Sequence, residues 1–203
     1  MRRRAVLLLL AALPGTALAQ APFRGVRPGE VLRGRFTQER RLAGFARPLL
    51  SSGTFLLAPG RGLIWQTELP FAITTIITTE GLVQEVDGAP TMRLDAARLP
   101  FLARLYEVIG GALAGDWQTL DARFSTVRRA GPAGWELALT SRAGGPDPGA
   151  PPFRAITLRG AAFLEGAVIE RSDEGSDTIV FSDQTITTTE LSAGDAARLG
   201  ARR

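Results

Sequence analysis

The chain has 203 residues and contains neither cysteine nor histidine. It has 24 basic residues, all of them arginine, and 20 acidic residues. The absence of cysteine and histidine removes the thiolate nucleophile, the commonest general base and the usual zinc ligands. It also excludes disulfides and acylation at a cysteine. No nucleotide-binding or serine-hydrolase motif occurs. We therefore expect no enzyme, no catalytic residues, no metal and no cofactor.

The N-terminus predicts export. Arg2, Arg3 and Arg4 precede an apolar run from Ala5 to Leu13, and the small-residue triplet Ala17-Leu18-Ala19 follows. This order is typical of a cleaved secretory signal. A membrane anchor is the alternative, but the run is much shorter than the roughly 20 residues that span a bilayer. We expect a signal peptide over 1–19 and a single periplasmic domain over 20–203.

The isoelectric point of about 11.0 suggests a nucleic-acid partner only at first sight. Three of the 24 basic residues lie in the signal, which leaves 21 against 20 carboxylates. The mature chain is thus close to neutral, with a formal charge of +1. Arginine keeps the isoelectric point high without creating a strongly positive surface. We expect no nucleic-acid binding.

Short runs of alternating apolar residues separated by turn residues predict successive antiparallel strands. Phe55 and Leu57 share one face, as do Leu63 and Trp65. The predicted strands are Val31 to Gln38, Gly53 to Leu57, Leu63 to Thr67, Phe71 to Thr78, Leu82 to Val86, Ala122 to Val127, Trp135 to Ser141, Phe153 to Arg159, Phe163 to Arg171, Thr178 to Phe181 and Thr185 to Thr189. In the fourth strand Ile73, Ile76 and Ile77 cannot share a face. Either apolar residues cover its second face or the strand contains a bulge.

Two helices interrupt or follow the strands. An amphipathic helix is predicted from Arg98 to Gly115, behind Pro100, and we expect it to act as a movable lid on the sheet. Its apolar stripe comprises Phe101, Leu102, Leu105, Val108, Ile109 and Leu113. Ser192, with Asp195 three residues later, predicts the cap of a short helix through Leu199. Trp117 is expected to lie where the strands resume.

The acidic cluster from Asp173 to Asp177 offers oxygen atoms that calcium prefers. It lacks the spaced ligands of a calcium loop, contains Gly175 and lies between two predicted strands. A hairpin turn is the simpler interpretation.

The order of several short motifs resembles the periplasmic lipoprotein carrier family LolA. Phe36-Thr37-Gln38 is followed by Gly53, Pro59, Trp65 and Pro70. Further along the chain come Pro100-Phe101-Leu102, Asp116-Trp117-Gln118 and Trp135-Glu136-Leu137. The match covers approximately Phe36 to Phe181, and no motif in it is a catalytic signature.

The resemblance implies a mainly β (α+β) fold: a strongly curved antiparallel sheet forming an incomplete β-barrel, with helices over its apolar concave face. It also implies that this face accepts acyl chains. The expected lipid-binding residues are Phe36, Phe55, Trp65, Phe71, Ile73, Phe101, Leu102, Leu105, Ile109, Leu137 and Phe181. For any one of these side chains, an ordinary dry core is the alternative.

The chain departs from the family at one position. The well-studied carriers place an arginine before the proline that leads to the Trp strand, where it helps to latch the lid, whereas Ala58 precedes Pro59 here. Arg61 is a nearby substitute. The chain thus resembles a divergent LolA-like branch.

The function expected from this resemblance is that of a monomeric periplasmic carrier. Its cargo is an acylated lipoprotein or a glycolipid, taken from an inner-membrane donor complex and delivered to an outer-membrane acceptor. A lipid-sensing or interaction module is the alternative, because the same half-barrel occurs in envelope-stress regulators. An enzyme acting on lipid-linked substrates ranks third, because no nucleophile–base pair is present.

Cleavage after Ala19 is the first testable prediction. Intact-mass analysis of the protein from the envelope fraction should give a chain that begins at Gln20. A retained Met1 or a cytoplasmic location would contradict the carrier hypothesis.

Overall fold

The computed structural model describes residues 23–96, 108, 110–132, 134–141 and 153–200. Eleven antiparallel strands form one sheet in the order β6-β5-β4-β3-β2-β1-β11-β10-β9-β8-β7. The strands are β1 (Val31–Arg41), β2 (Leu49–Ala58), β3 (Gly62–Leu69), β4 (Ile73–Ile77), β5 (Gly81–Val86), β6 (Ala89–Asp95), β7 (Phe124–Gly131), β8 (Gly134–Ser141), β9 (Phe153–Gly160), β10 (Leu164–Arg171) and β11 (Ser176–Thr187). Two helices are α1 (Trp117–Arg123) and α2 (Ala193–Gly200). Residues 110–114 are also helical.

Two meanders make up the sheet. The first comprises β1 to β6 and the second comprises β7 to β11, with the helical residues between them in sequence. They are joined where β1 pairs with β11, in a register that places Phe36 opposite Phe181. The first and last strands of the sheet in sequence are therefore neighbours at its centre.

The sheet is strongly curved. Leu82 on β5 and Phe153 on β9 line the same cavity, although seven strand spacings separate them. In a flat sheet this separation would be about 34 Å, at about 4.8 Å for each spacing. The sheet must therefore curl around its inner face, as expected for an incomplete barrel.

The inner face carries the main hydrophobic core. Leu32, Phe36 and Phe55 from the first meander are buried together with Leu137 and Ile156 from the second. Helical residues contribute Val108, Ala112, Leu113 and Leu120 to the same cluster. The expectation that helices cover the apolar face is confirmed for these residues. Most of the predicted lid, including Phe101, Leu102, Leu105 and Ile109, lies outside the described residues.

A smaller core lies on the outer face, beneath α2. Leu199 of this helix packs on Leu56, Ile64 and Ile76. The backbone N–H of Asp195 donates a hydrogen bond to the Ser192 hydroxyl at 3.1 Å. Ser192 therefore caps the helix, as predicted. Within the described part of the chain, no helix is long and apolar enough to cross a bilayer.

This outer core explains the pattern of β4. Ile76 faces α2, whereas Ile77 belongs to the inner core. The pairing of β4 with β3 and β5 shows no register shift, so a bulge is not the reason. The first of the two interpretations, that apolar residues cover the second face as well, is confirmed.

Several predicted boundaries are wrong. Ala122 belongs to α1, which begins at Trp117, so the strands resume only at Phe124. The two strands predicted at Thr178 and Thr185 form one strand, β11, which is irregular near Asp183. The edge strand β6 has no counterpart among the predicted strands.

Phe71 does not lie on the inner face as predicted. It lies in the bend before β4, which begins at Ile73, and its side chain is 75% exposed. Pro70 cannot donate a hydrogen bond to a sheet ladder, which favours a break at this point.

Gly53 allows β2 and β3 to approach each other closely, because it has no side chain. A Cβ atom at Gly53 would lie 1.9 Å from the backbone oxygen of Gln66. We expect Gly53→Ala to reduce the free energy of unfolding by more than about 2 kcal/mol, because the backbone of β2 or β3 must move to make room for the added methyl group. Urea denaturation of the mature protein measures this change.

Gly131→Ala is the matched control, because no described atom lies within 4 Å of its Cβ position and Gly131 is also a strand residue. We expect its effect to stay within about 0.5 kcal/mol. Equal losses for both variants would contradict the proposed close approach.

Candidate functional site

A cavity of about 340 Å³ lies against the inner face of the sheet. This volume is near the lower end of the range of about 300–1,000 Å³ for small-molecule sites. Side chains from both meanders form its walls. The apolar lining residues are Leu63, Trp65, Ile77, Leu82, Phe153, Ile169 and Ile179. An apolar group of a ligand would therefore contact both halves of the sheet at once.

Three phenylalanine rings pack around Trp65, which forms part of the cavity wall. Trp65 stacks on Phe36 with ring centroids 3.9 Å apart, and its ring lies edge-on to Phe181 at 6.1 Å. Phe55 contacts Phe181 in the same edge-on manner at 5.4 Å. Such arrangements add about 0.5–1.5 kcal/mol for each pair beyond simple burial. The cluster fixes Trp65, which is the only member that also lines the cavity.

Polar side chains line one end of the cavity, around the carboxylate of Asp177. This side chain is only 6% exposed. It accepts hydrogen bonds from Gln38 Nε2 at 2.8 Å and from Arg40 Nε at 2.6 Å. A buried carboxylate needs such partners, because an unpaired charge is costly away from water. The pairing ties β1 to β11 at the rim of the cavity.

Arg171 completes the polar rim. Its guanidinium lies 3.9 Å from Asp177 and donates three closer hydrogen bonds to Asp173, at 2.9, 3.0 and 3.3 Å. The hydrogen bonds from Arg171 lower the pKa of Asp173 to about 2, and the same contact raises the pKa of Arg171. Both groups therefore remain charged at neutral pH. Asp173 and Glu174 belong to the hairpin between β10 and β11, so the turn interpretation of this acidic segment is confirmed.

The exposure of the lining side chains indicates that the cavity opens at this polar end. Leu63, Ile77 and Leu82 are buried at the opposite end. By contrast, the side chains of Arg40 and Arg171 are 43% and 29% exposed. A chain-like ligand would have its apolar part near Leu63 and its polar part near the arginines.

The structure brings together part of the predicted site. Phe36, Phe55, Leu137 and Phe181 are buried in the inner core, and Trp65 packs against it. Of these five, only Trp65 lines the cavity; the other four belong to the inner core and do not line it. Ile73 is half-buried, opposite Thr67 on the neighbouring strand, and does not line the cavity.

Sequence reasoning missed most of the residues that line the cavity. Ile77, Leu82, Ile169 and Ile179 were not assigned to the site, although strand alternation contained a signal for two of them. Ile179 is two residues from Phe181, and Ile77 is four residues from Ile73, both of which were expected site residues. Residues two apart in a strand share a face. Asp177 had no such signal, because its partners come from a distant strand.

A second cavity, of about 410 Å³, lies beside α2, at the end of the first meander opposite the polar rim. Polar and charged side chains, including Arg61, Arg93 and Arg198, form much of its wall. Arg198 is engaged by Glu85 at 3.0 Å. Arg61, the expected substitute for the latch arginine, thus lies beside the C-terminal helix, and Ala58 is buried in the outer core. This cavity offers an acyl chain little apolar surface.

Comparison with known proteins places these features in a family. The model of the family described as outer membrane lipoprotein carrier protein LolA-like matches residues 19–173. No curated protein matches the chain. Among solved structures, a LolA superfamily protein from Nitrosomonas europaea is 11% identical with a TM-score of 0.45, covering 83% of this chain and 90% of that one.

A chain from the MucA/MucB complex of Pseudomonas aeruginosa is 12% identical with a TM-score of 0.42, covering 82% of this chain and 54% of that one. Both structural similarities are weak, and the family model carries the assignment. Because that model spans most of the sequence, the protein belongs to the LolA-like family of outer membrane lipoprotein carrier proteins.

Proposed function

We propose that the protein is a periplasmic carrier that holds an acyl chain of a lipidated envelope molecule in the inner-face cavity. The observation that supports this most strongly is the cavity itself, whose walls are mostly apolar apart from Thr75 and Gln84 and whose open end is polar. This arrangement matches the two chemical parts of an acylated molecule. The cargo class is a lipoprotein or another acylated compound such as a glycolipid.

Binding in such a site would depend on the burial of methylene groups. Each buried CH₂ contributes about 0.8 kcal/mol. The charged groups at the rim add little specificity for an anionic or cationic headgroup, because Asp177 is bonded to Arg40 and Asp173 to Arg171. The proposed carrier therefore recognises the length and shape of the acyl chain more than its headgroup.

The proposed role requires transfer and no catalysis. LolA-like proteins are binding and carrier proteins, and we infer that this chain likewise takes its cargo from an inner-membrane donor and gives it to an outer-membrane acceptor. Cargo must be able to leave, so a cavity that is open at one end suits a carrier.

Trp65 provides a direct test of occupancy, because it lines the cavity whereas Trp117 and Trp135 pack with Phe23 elsewhere. We expect a brominated fatty acid to quench the fluorescence of the Trp117→Phe/Trp135→Phe variant, because bromine must approach the indole ring closely. The measurement is a titration of emission intensity to saturation.

The Trp65→Phe variant is the control and retains the two remote tryptophans. Its emission should change little over the same titration. Equal quenching of both variants, or unchanged emission of Trp65 at saturating ligand, would place the fatty acid outside the cavity.

Two adjacent residues on β11 test the cavity by steric blocking. Ile179 lines it, whereas the neighbouring Val180 lies on the outer face and is 44% exposed. We expect Ile179→Phe to weaken binding of a fluorescent fatty acid by about tenfold, because the larger ring takes up the space of about two methylene groups. Val180→Phe should bind like the parent protein.

Thermal unfolding of both variants separates blocking from loss of fold. Overpacking costs typically 1–3 kcal/mol, so a modest decrease in Tm for Ile179→Phe is compatible with the proposal. Normal affinity of folded Ile179→Phe would argue against this cavity as the acyl site.

A further inference from the structure

Exposed apolar side chains collect at one end of the sheet, here called the loop end. It is formed by the β1–β2 connection (42–48), the β3–β4 connection (70–72) and the β10–β11 hairpin (172–175). These segments are close together because β1, β2, β3 and β11 are neighbours and antiparallel. The loop-end apolar surface comprises Phe45, Leu49, Leu50, Leu69, Phe71 and Val180.

The two phenylalanines are the most exposed members of this surface. Phe45 is 71% exposed and Phe71 is 75% exposed, each in a connection between strands. Behind them, Leu50, Leu69 and Val180 line a shallow groove on the outer face. Exposed apolar side chains clustered at one end of a sheet favour an interaction site there, because their burial displaces water at a gain in free energy.

The open end of the cavity lies at this same end of the sheet. Arg40 precedes the β1–β2 connection by two residues, and Arg171 immediately precedes the β10–β11 hairpin. The exposed phenylalanines and the cavity opening therefore share one end of the molecule. An acyl chain leaving the cavity there would emerge beside apolar side chains.

Charged groups near the loop end are mostly paired within the protein. Arg41 pairs with Glu39, Arg35 with Glu68, and Arg40 with Asp177. Further charged residues at this end are Arg47 in the 42–48 connection and the exposed Glu174 in the β10–β11 hairpin. Paired charges attract a charged surface only weakly, whereas exposed aromatic rings gain free energy when an apolar layer buries them. This end of the protein therefore suits insertion into an apolar layer better than electrostatic attraction to a charged surface.

We propose that the loop-end apolar surface docks on a lipid bilayer, with Phe45 and Phe71 inserted at the interface and the cavity opening turned toward the acyl region. This proposal rests on the carrier function proposed above and adds the place where cargo enters or leaves. The driving force is apolar burial, so binding should depend only weakly on salt and on anionic lipid.

Vesicle flotation of the mature full-length protein tests this docking. We expect binding to vesicles of phosphatidylcholine alone, with at most a small increase when half of the lipid is phosphatidylglycerol. Phe45→Ser/Phe71→Ser should lower the partition coefficient by roughly a hundredfold, about tenfold for each ring. Val127→Ser, which removes an exposed apolar side chain from β7, should bind like the parent.

A second measurement uses the absence of cysteine from the chain. Phe71→Cys carrying an environment-sensitive fluorophore should show a blue shift on addition of vesicles, and labelled Val127→Cys should not. An unshifted Phe71→Cys signal, or binding only to anionic vesicles that is lost in high salt, would overturn the proposal. Binding to a protein partner with no vesicle binding would also overturn it.

Titration with a fluorescent fatty acid in the same samples keeps the two proposals apart. The Phe45→Ser/Phe71→Ser variant should retain fatty-acid affinity, since neither residue lines the cavity. A parent protein that binds the fatty acid but not vesicles would leave the carrier function standing and refute the docking surface. A parent that binds vesicles but not the fatty acid would refute the carrier function alone.

Discussion

The pairing of β1 with β11 is the interaction on which the site depends. It joins two separate meanders and sets Phe36 opposite Phe181 at the centre of the sheet. The aromatic cluster around Trp65 packs across this joint, and the cavity takes one wall from each meander. Because the paired segments are far apart in sequence, their contact must overcome a large loop-closure entropy. The cavity therefore exists only once the two meanders have joined.

Burial and charge have separate roles at this site. Asp177 is bonded to Gln38 and Arg40, so the polar rim satisfies its own hydrogen bonds, and the rest of the cavity lining is mostly apolar. An arrangement of this kind holds its ligand by area rather than by specific polar contacts. Weak selectivity for a headgroup suits a carrier that must release its cargo. The same logic applies at the loop end, where paired charges leave apolar side chains as the main feature.

Alternation along the strands predicted the antiparallel sheet and the shared faces of Phe55 with Leu57 and of Leu63 with Trp65, because one buried face enforces a period of two. The inward direction of these faces was implied by the family resemblance. Alternation failed for Phe71, which continues the apolar pattern after Pro70 although the strand has ended. The edge strand β6 is mostly exposed and so lacks an apolar face to detect. The Asp177 contacts depend on long-range register, and a cavity needs the same apolar residues as a dry core. No local pattern in the sequence could reveal either.

Site-resolved photocrosslinking tests the central claim, that the inner face holds an acyl chain, most directly. A fatty acid with a photoreactive group near its methyl end would be irradiated with the mature protein, and the adducts located by peptide mass spectrometry. The account predicts adducts on cavity residues at the buried end, such as Leu63, Ile77 and Leu82, which an excess of unlabelled fatty acid should abolish. Adducts confined to the outer face, at Leu50, Leu69 and Val180, would contradict it.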